Sequence, residues 1–155
     1  MLSIPRLSRA DAQILIAGAE RKSRGIGVPM CIAVTDESGN LIAFTRLDGA
    51  KVLSVSLAQD KAFTAAVSRR GTHEYNASAV PGQLTFGIQS ACGGRFSTVG
   101  GGLPVVVANA VVGGIGCSSG TPEQDMACAQ AGIDHFQKKL KDSKSAAGKP
   151  RRRRN

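Results

Sequence analysis

From Gly113 to Phe136 the chain reads GGIGCSSGTPEQDMACAQAGIDHF, a glycine- and serine-rich stretch that runs without a break into an amphipathic helix. Such a stretch is either a loop that cradles an anion or a joint where a strand turns into a helix, and the two lead to different molecules. The residues favour the joint. Thr121-Pro122-Glu123-Gln124 spells a helix start position by position. Thr121 is the N-cap, Pro122 takes the first helical position, and Gln124 closes a capping box. Glu123 and Asp125 then meet the positive end of the helix dipole and repel an incoming phosphate. The segment also lacks the Gly-Lys-Ser/Thr ending of a P-loop, and its glycines miss the dinucleotide-binding spacing. Beyond the start, Met126, Ala129, Ile133, Phe136 and Leu140 form a core-facing stripe, with small Cys128 and Gly132 beside it for close approach to a sheet. The glycines serve tight turns and close packing, not a nucleotide.

The rest of the chain supplies the partners for this strand and helix. Ser8 and Asp11 form a second capping box, and Ala12, Leu15, Ile16 and Ala19 mark the buried face of a helix that ends before the GIGVP turn at Gly25–Pro29. Met30–Asp36 and Asn40–Leu47 read as a hairpin about the turn Glu37-Ser38-Gly39-Asn40. Lys51–Ser68 is an Ala-rich helix, apolar around most of its girth and so largely buried. It carries Asp60, Lys61 and Thr64, with Asp60 and Thr64 on one face, either paired at the helix edge or lining a pocket. Arg69–Gly102 is irregular, with a short apolar turn near Leu84–Ile88 and a strand expected over Arg95–Val99. Leu103–Val107 and Asn109–Gly116 read as buried strands turning at Asn109. Helices at both ends and in the middle, with neighbouring strands paired as hairpins, predict an α/β (α+β) three-layer α/β/α sandwich on a central antiparallel sheet.

The formal charge of +9 belongs mainly to the end of the chain. Lys138–Asn155 holds nine basic residues and one acid, which leaves +1 for residues 1–137. A tract such as KDSKSAAGKPRRRRN buries too little apolar area to order itself. The expected organisation is therefore one domain, 1–140, followed by a disordered basic tail, 141–155. Such a tail can contact nucleic acid or an acidic membrane by counterion release, but no aromatic or base-reading residues accompany it, so a solvated tail is favoured. No apolar run has the roughly 20 residues needed to span a bilayer, and the N-terminus lacks a signal-peptide stretch, so a cytoplasmic location is expected. Cys31, Cys92, Cys117 and Cys128 form no CxxC pair and have no histidine at zinc-ligand spacing, so they read as small apolar residues and no metal site is expected.

GGIGCSSGTPEQDMACAQAG resembles the C-terminal signature of the GlcG/HbpS-like family, which includes the C-terminal domain of PduO. SLAQDKAFTAAVSRRGT (Ser56–Thr72), FTRLDGA (Phe44–Ala50) and FSTVGGGLPVVV match further family segments in the same order, over about Ser8–Gln137. The resemblance implies a profilin-like sandwich that associates into homo-oligomers, from dimers to rings of up to octamer size. It also implies binding of haem or a related tetrapyrrole. Lys61 and Thr64 fall on the family's Asp-Lys-Ala-x-Thr motif, and Thr72 on the threonine of its Gly-Arg-Pro-Thr, a hydroxyl that the resemblance would turn toward haem iron. The chain departs from the pattern in reading Arg69-Arg70-Gly71-Thr72-His73-Glu74-Tyr75 there, in lacking a Glu-x-x-Glu motif, and in having no histidine on the first helix.

That segment is also the densest chemical cluster in the body. Arg69, Arg70 and Arg95 suit two-point binding of a carboxylate. His73 offers an imidazole that could move a proton, Tyr75 an O–H donor and Glu74 a carboxylate, which makes the three the candidate catalytic residues. His135, near the end of the last helix, reads as a surface residue. Two functions follow. The chain binds haem or a related tetrapyrrole, with Thr72 or His73 near the metal. Alternatively it is a small catabolic enzyme that moves a proton on, or hydrolyses, an anionic carboxylate or keto acid, with a solvated loop or an oligomer contact as the plain reading of the same cluster.

Overall fold

A computed structural model describes residues 1–147. In chain order the elements are α1 (Arg9–Gly25), β1 (Cys31–Asp36), β2 (Leu41–Arg46), α2 (Ser54–Ser68), α3 (Ala91–Gly94), β3 (Gly102–Val107), β4 (Ala110–Ser118) and α4 (Pro122–Ala147). The four strands form one antiparallel sheet in the order β2-β1-β4-β3. α1 and α4 cover one face, and α2 with the irregular segment after it covers the other. This is the α/β/α sandwich expected from the hairpin pattern.

The central strands are buried on both sides, and their side chains divide between two cores. Ile32 and Val34 of β1 join Ile115 and Cys117 of β4 beneath Leu15, Ala129, Ile133 and Phe136 of the outer helices. Cys31 and Ala33 point the other way, against Ala58 and Ala62 of α2. On that side the packing is backbone to backbone. A Cβ on Gly116 would strike the carbonyl of Ala58, and one on Gly114 the carbonyl of Ala62. The Gly-x-Gly of β4 thus meets the Ala-x-x-x-Ala of α2, which is why both are so poor in large side chains.

Local signals held where they rested on local chemistry. Ser8 caps α1 in a complete capping box with Asp11. Thr121 and Gln124 do the same for α4, each side chain meeting the other's backbone N–H. The β3–β4 hairpin turns on Ala108 and Asn109, both left-handed at φ 48° and 65°. Two consecutive positive φ values are what the right-handed twist of the flanking strands demands of a two-residue turn. Pro104 sits on the edge strand β3, where its missing N–H breaks no ladder bond.

Most strand ends fall within one or two residues of expectation, and three differences are larger. α2 starts at Ser54, after a turn over Val52 and Leu53. Arg95–Val99 is not a strand: the Ser97 N–H donates to the Thr64 hydroxyl (2.9 Å), so this backbone is held by a helix side chain rather than a ladder partner. α4 continues to Ala147, seven residues past Leu140, because Lys and Ala keep helical propensity even where no apolar stripe remains. The remainder of the expected tail, 148–155, lies outside the described residues. Among the described residues no helix is long and apolar enough to cross a membrane.

Candidate functional site

α2 ends at Arg69, which takes a left-handed conformation (φ 59°) and turns the chain into a single 3-10 turn, Thr72–Tyr75. Glu74 caps this turn by accepting the Gly71 N–H (2.8 Å), and Arg70 pairs with its other oxygen (3.1 Å). The Gly71 amide, then Arg70, hold the Glu74 carboxyl below its ordinary range against the pull of partial burial, so at neutral pH it is a fixed anion, not a proton acceptor. The Arg70 guanidinium also lies over the Tyr75 ring, 5.3 Å from its centre, and Tyr75 meets Phe96 edge to face at 4.9 Å. His73 is exposed; its Cβ packs toward Gly100, and its imidazole lies so near Gly71 that a Cβ there would sit 2.5 Å from Cε1.

The turn thus gathers Arg69, Arg70, His73, Glu74 and Tyr75, but other residues expected to join them are turned inward. The Thr72 hydroxyl donates to the Val99 carbonyl (2.6 Å) and accepts the Gly102 N–H (3.0 Å). Thr64 donates to the Arg95 carbonyl (3.2 Å) while accepting from Ser97. Lys61, 1% exposed, gives its ammonium to Asp125 (2.8 Å) and the Cys117 carbonyl (3.2 Å). All three are buried with their polar atoms engaged, so the ligand contacts expected of Lys61, Thr64 and Thr72 are replaced by structural ones. Thr72→Val is expected to cost about 1–3 kcal/mol, since it strands the buried Gly102 N–H and the partly buried Val99 carbonyl, and a urea titration measures it. Thr72→Ser, which keeps the hydroxyl, should lose much less.

Arg95 also stands apart. Its Nε reaches Asp60 (3.3 Å) and its guanidinium stacks on Phe63 at 4.0 Å. It walls a cleft of about 400 Å³ with Gly39, Asn40, Leu41, Ser56, Gln59 and Asp60. From Asp60 to the end of α2 at Ser68 is about 12 Å along the helix, so Arg95 and Arg70 serve different regions. Asp60 is therefore a paired residue at a cleft, combining both roles foreseen for it. Five clefts of about 370–450 Å³ mark the surface, and none of the five has Arg69, Arg70, His73, Glu74 or Tyr75 in its wall. The 3-10 turn is thus not the mouth of any of these five clefts.

What sequence reasoning missed lies in the irregular arm between Asn76 and Gly94 and just after it. Val80, Leu84, Phe86 and Val99 are exposed, Leu84 completely. The only signal was negative: these apolar residues fit neither helical nor strand periodicity, so nothing in the domain was available to cover them. Val99 borders the turn directly through the Thr72 hydrogen bond. One uncovered apolar residue, Val99, is thus fixed beside the turn that carries the cations and the imidazole. No group of three or more His, Cys, Asp or Glu that could hold a metal ion occurs among the described residues. The buried thiols of Cys117 and Cys128 are pushed up by desolvation, the latter to about 11, which leaves them inert.

Comparison with known proteins places this geometry. The chain is 37% identical over 133 residues to an uncharacterised 15.0 kDa protein from the dhaT–dhaS intergenic region of Citrobacter freundii, covering 86% of this chain and 94% of that one. Its fold matches the crystal structure of Klebsiella pneumoniae ORFY (TM-score 0.86, 36% identity, 88% of this chain and 94% of that one). It also matches that of a PduOC–haem complex (TM-score 0.80, 32% identity, 84% and 94%). The family model described as haem degrading protein HbpS-like matches residues 7–134. With the sandwich, the Thr-Pro helix start and the match all in one register, the chain belongs to the HbpS-like family.

Proposed function

We propose that this protein binds haem or a related tetrapyrrole on the side of the molecule formed by the Thr72–Tyr75 turn, Val99 and the Asn76–Gly94 arm. The observation that carries the reading is the exposed imidazole of His73 on the same turn as Arg69 and Arg70, with the exposed Val99 held against that turn by Thr72. Those residue types suit the group. An imidazole nitrogen ligates iron, arginines pair with propionates, and aliphatic and phenyl side chains face a flat apolar ring. Val99, Val80, Leu84 and Phe86 supply the apolar face, and Arg69 and Arg70 the cations. When bound, haem would bring an iron centre for His73 to ligate. Thr72 spends its hydroxyl on internal bonds, which favours His73 as the donor on this turn. A relative of 32% identity seen as a PduOC–haem complex supports the choice of ligand class.

Haemin titration tests this. A Soret shift saturating at one equivalent is expected for the wild type, weakened by at least about tenfold, roughly 1.4 kcal/mol, in His73→Ala. Thr72→Ser should titrate like the wild type. Absence of a specific Soret shift would reject the reading. The second reading, an enzyme for anionic carboxylates, loses its three-arginine clamp because Arg95 is turned to Asp60 and Phe63. It rests instead on the Arg95 cleft, and thermal stabilisation by dicarboxylates or keto acids, abolished in Arg95→Met, would support it.

A further inference from the structure

The cleft of about 400 Å³ that Arg95 walls lies between the β1–β2 turn and α2. The Phe63 ring fixes both sides of it. The Arg95 guanidinium stacks 4.0 Å from the ring centre, and Gly39 of the turn comes so close that a Cβ there would sit 2.5 Å from a ring carbon. Its volume falls within the range of small-ligand pockets, roughly 300–1,000 Å³.

The hydrogen bonds around the cleft show which of its polar groups are still open. Arg95 is the donor. Its Nε reaches one Asp60 oxygen at 3.3 Å, and among the described residues its two terminal nitrogens have no hydrogen-bond partner. The second Asp60 oxygen has none there either, and the two side chains remain 46% and 26% exposed, so both meet a solute. The other polar side chains of the lining are left as acceptors. The Ser56 hydroxyl donates to the Leu53 carbonyl (3.2 Å), the Gln59 amide to the Val55 carbonyl (2.9 Å), and the Asn40 amide to the Asp36 carboxylate (3.2 Å). Each keeps an oxygen that can accept. Leu41, half exposed, adds an apolar side chain to the same wall.

We propose that this cleft binds a zwitterion of the α-amino-acid type. The ligand carboxylate meets the terminal nitrogens of Arg95, the ammonium meets Asp60 with Ser56 and Gln59, and the ligand side chain lies toward Leu41. The proposal rests on the cleft of the second reading above and changes its occupant. A guanidinium held flat on a ring presents a two-point donor to a carboxylate. An ammonium brings three N–H donors, which is what a wall of oxygens lacks. Arg95 and Asp60 stand side by side, as the two charges of an α-amino acid do across one carbon. The charged residues of the lining, one cation and one anion, also sum to zero, as the ligand does. A dicarboxylate instead sets its second anion against Asp60, and like charges in contact are what excludes a wrong partner. A keto acid puts an oxygen where the wall already holds oxygens, and leaves them without a donor.

Isothermal titration of the full chain tests this with L-alanine, L-valine and L-leucine, each against the 2-keto acid of the same carbon skeleton and against succinate. At least one amino acid should bind about tenfold or more tighter than its keto acid and than succinate, because only the amino acid supplies the donors. Arg95→Met should weaken that binding by about tenfold or more, since the carboxylate loses its two-point partner. Asp60→Asn should weaken the amino acid while leaving the keto acid unchanged or tighter, which erases the preference. Both side chains are partly exposed, so the variants should keep the wild-type circular dichroism and haemin titration. Keto acids or succinate bound as tightly as the amino acids would overturn the proposal and leave the carboxylate reading of the cleft standing. Absence of binding by all of these compounds overturns both. Amino-acid binding that survives Arg95→Met or Asp60→Asn undiminished overturns the proposal as well.

Discussion

Asp125→Ala is expected to destabilise the protein by about 3–5 kcal/mol, the largest effect of any single polar substitution proposed for this chain. Asp125 accepts the Lys61 ammonium on one oxygen and the Gly120 N–H on the other (2.9 Å), and both side chains of the pair are almost wholly buried. Removing the carboxylate leaves a positive charge sealed among Cys117, Gly101 and α2, with one backbone carbonyl for company. For a domain of this size that loss corresponds to a fall in Tm of roughly 6–20 °C. The pair itself is worth less than its rupture costs, because both ions lost hydration to enter the core. Lys61→Met/Asp125→Leu should therefore recover most of the stability lost in either single variant. Urea titrations of the two single variants and the double variant close the cycle. A cost below about 1 kcal/mol for Asp125→Ala would mean that Lys61 reaches water, contrary to its burial.

Gly116→Val is the second large effect. Overfilling a packed core ordinarily costs about 1–3 kcal/mol, and this site should reach or pass the upper end. The obstacles to a side chain at Gly116 are the Ala58 carbonyl and the Ala62 amide nitrogen, both main-chain atoms of α2, so no rotamer change makes room. The helix as a whole must lift from β4, and its contacts with Cys31 and Ala33 go with it. Gly25→Ala is the control. It lies at the end of α1 with nothing within 4 Å of a built Cβ, and should be neutral or mildly stabilising. If the two variants melt alike, the α2–β4 contact is looser than its geometry.

The contrast between these positions explains how far the sequence could be read. Caps and turns were legible because both halves of each interaction lie within a few residues. Ser8 meets Asp11, Thr121 meets Gln124, and the β1–β2 turn is closed by Asp36 accepting from Ser38 and Asn40. The α4 stripe was legible because one helical face must be apolar to cover a sheet. The family motifs identified the fold, since they record the same local demands in the same order.

The site was legible only as a composition. The RRGTHEY run does gather into one turn, but its meaning depended on partners that no local pattern names. Asp125 reads as a helix-dipole acid until Lys61, 64 residues away, is laid against it. Thr72 reads as a ligand hydroxyl until Val99 and Gly102 take both of its hydrogen-bonding functions. Arg95 reads as a third clamp residue until Phe63 and Asp60 claim its guanidinium. By itself the sequence determined where the capped helices begin, which faces are apolar, and that the end of the chain is strongly basic. The tertiary structure alone decided which polar groups are consumed internally and which remain for a ligand. A buried charge or hydroxyl must find its partner through space, and contact through space is indifferent to distance along the chain.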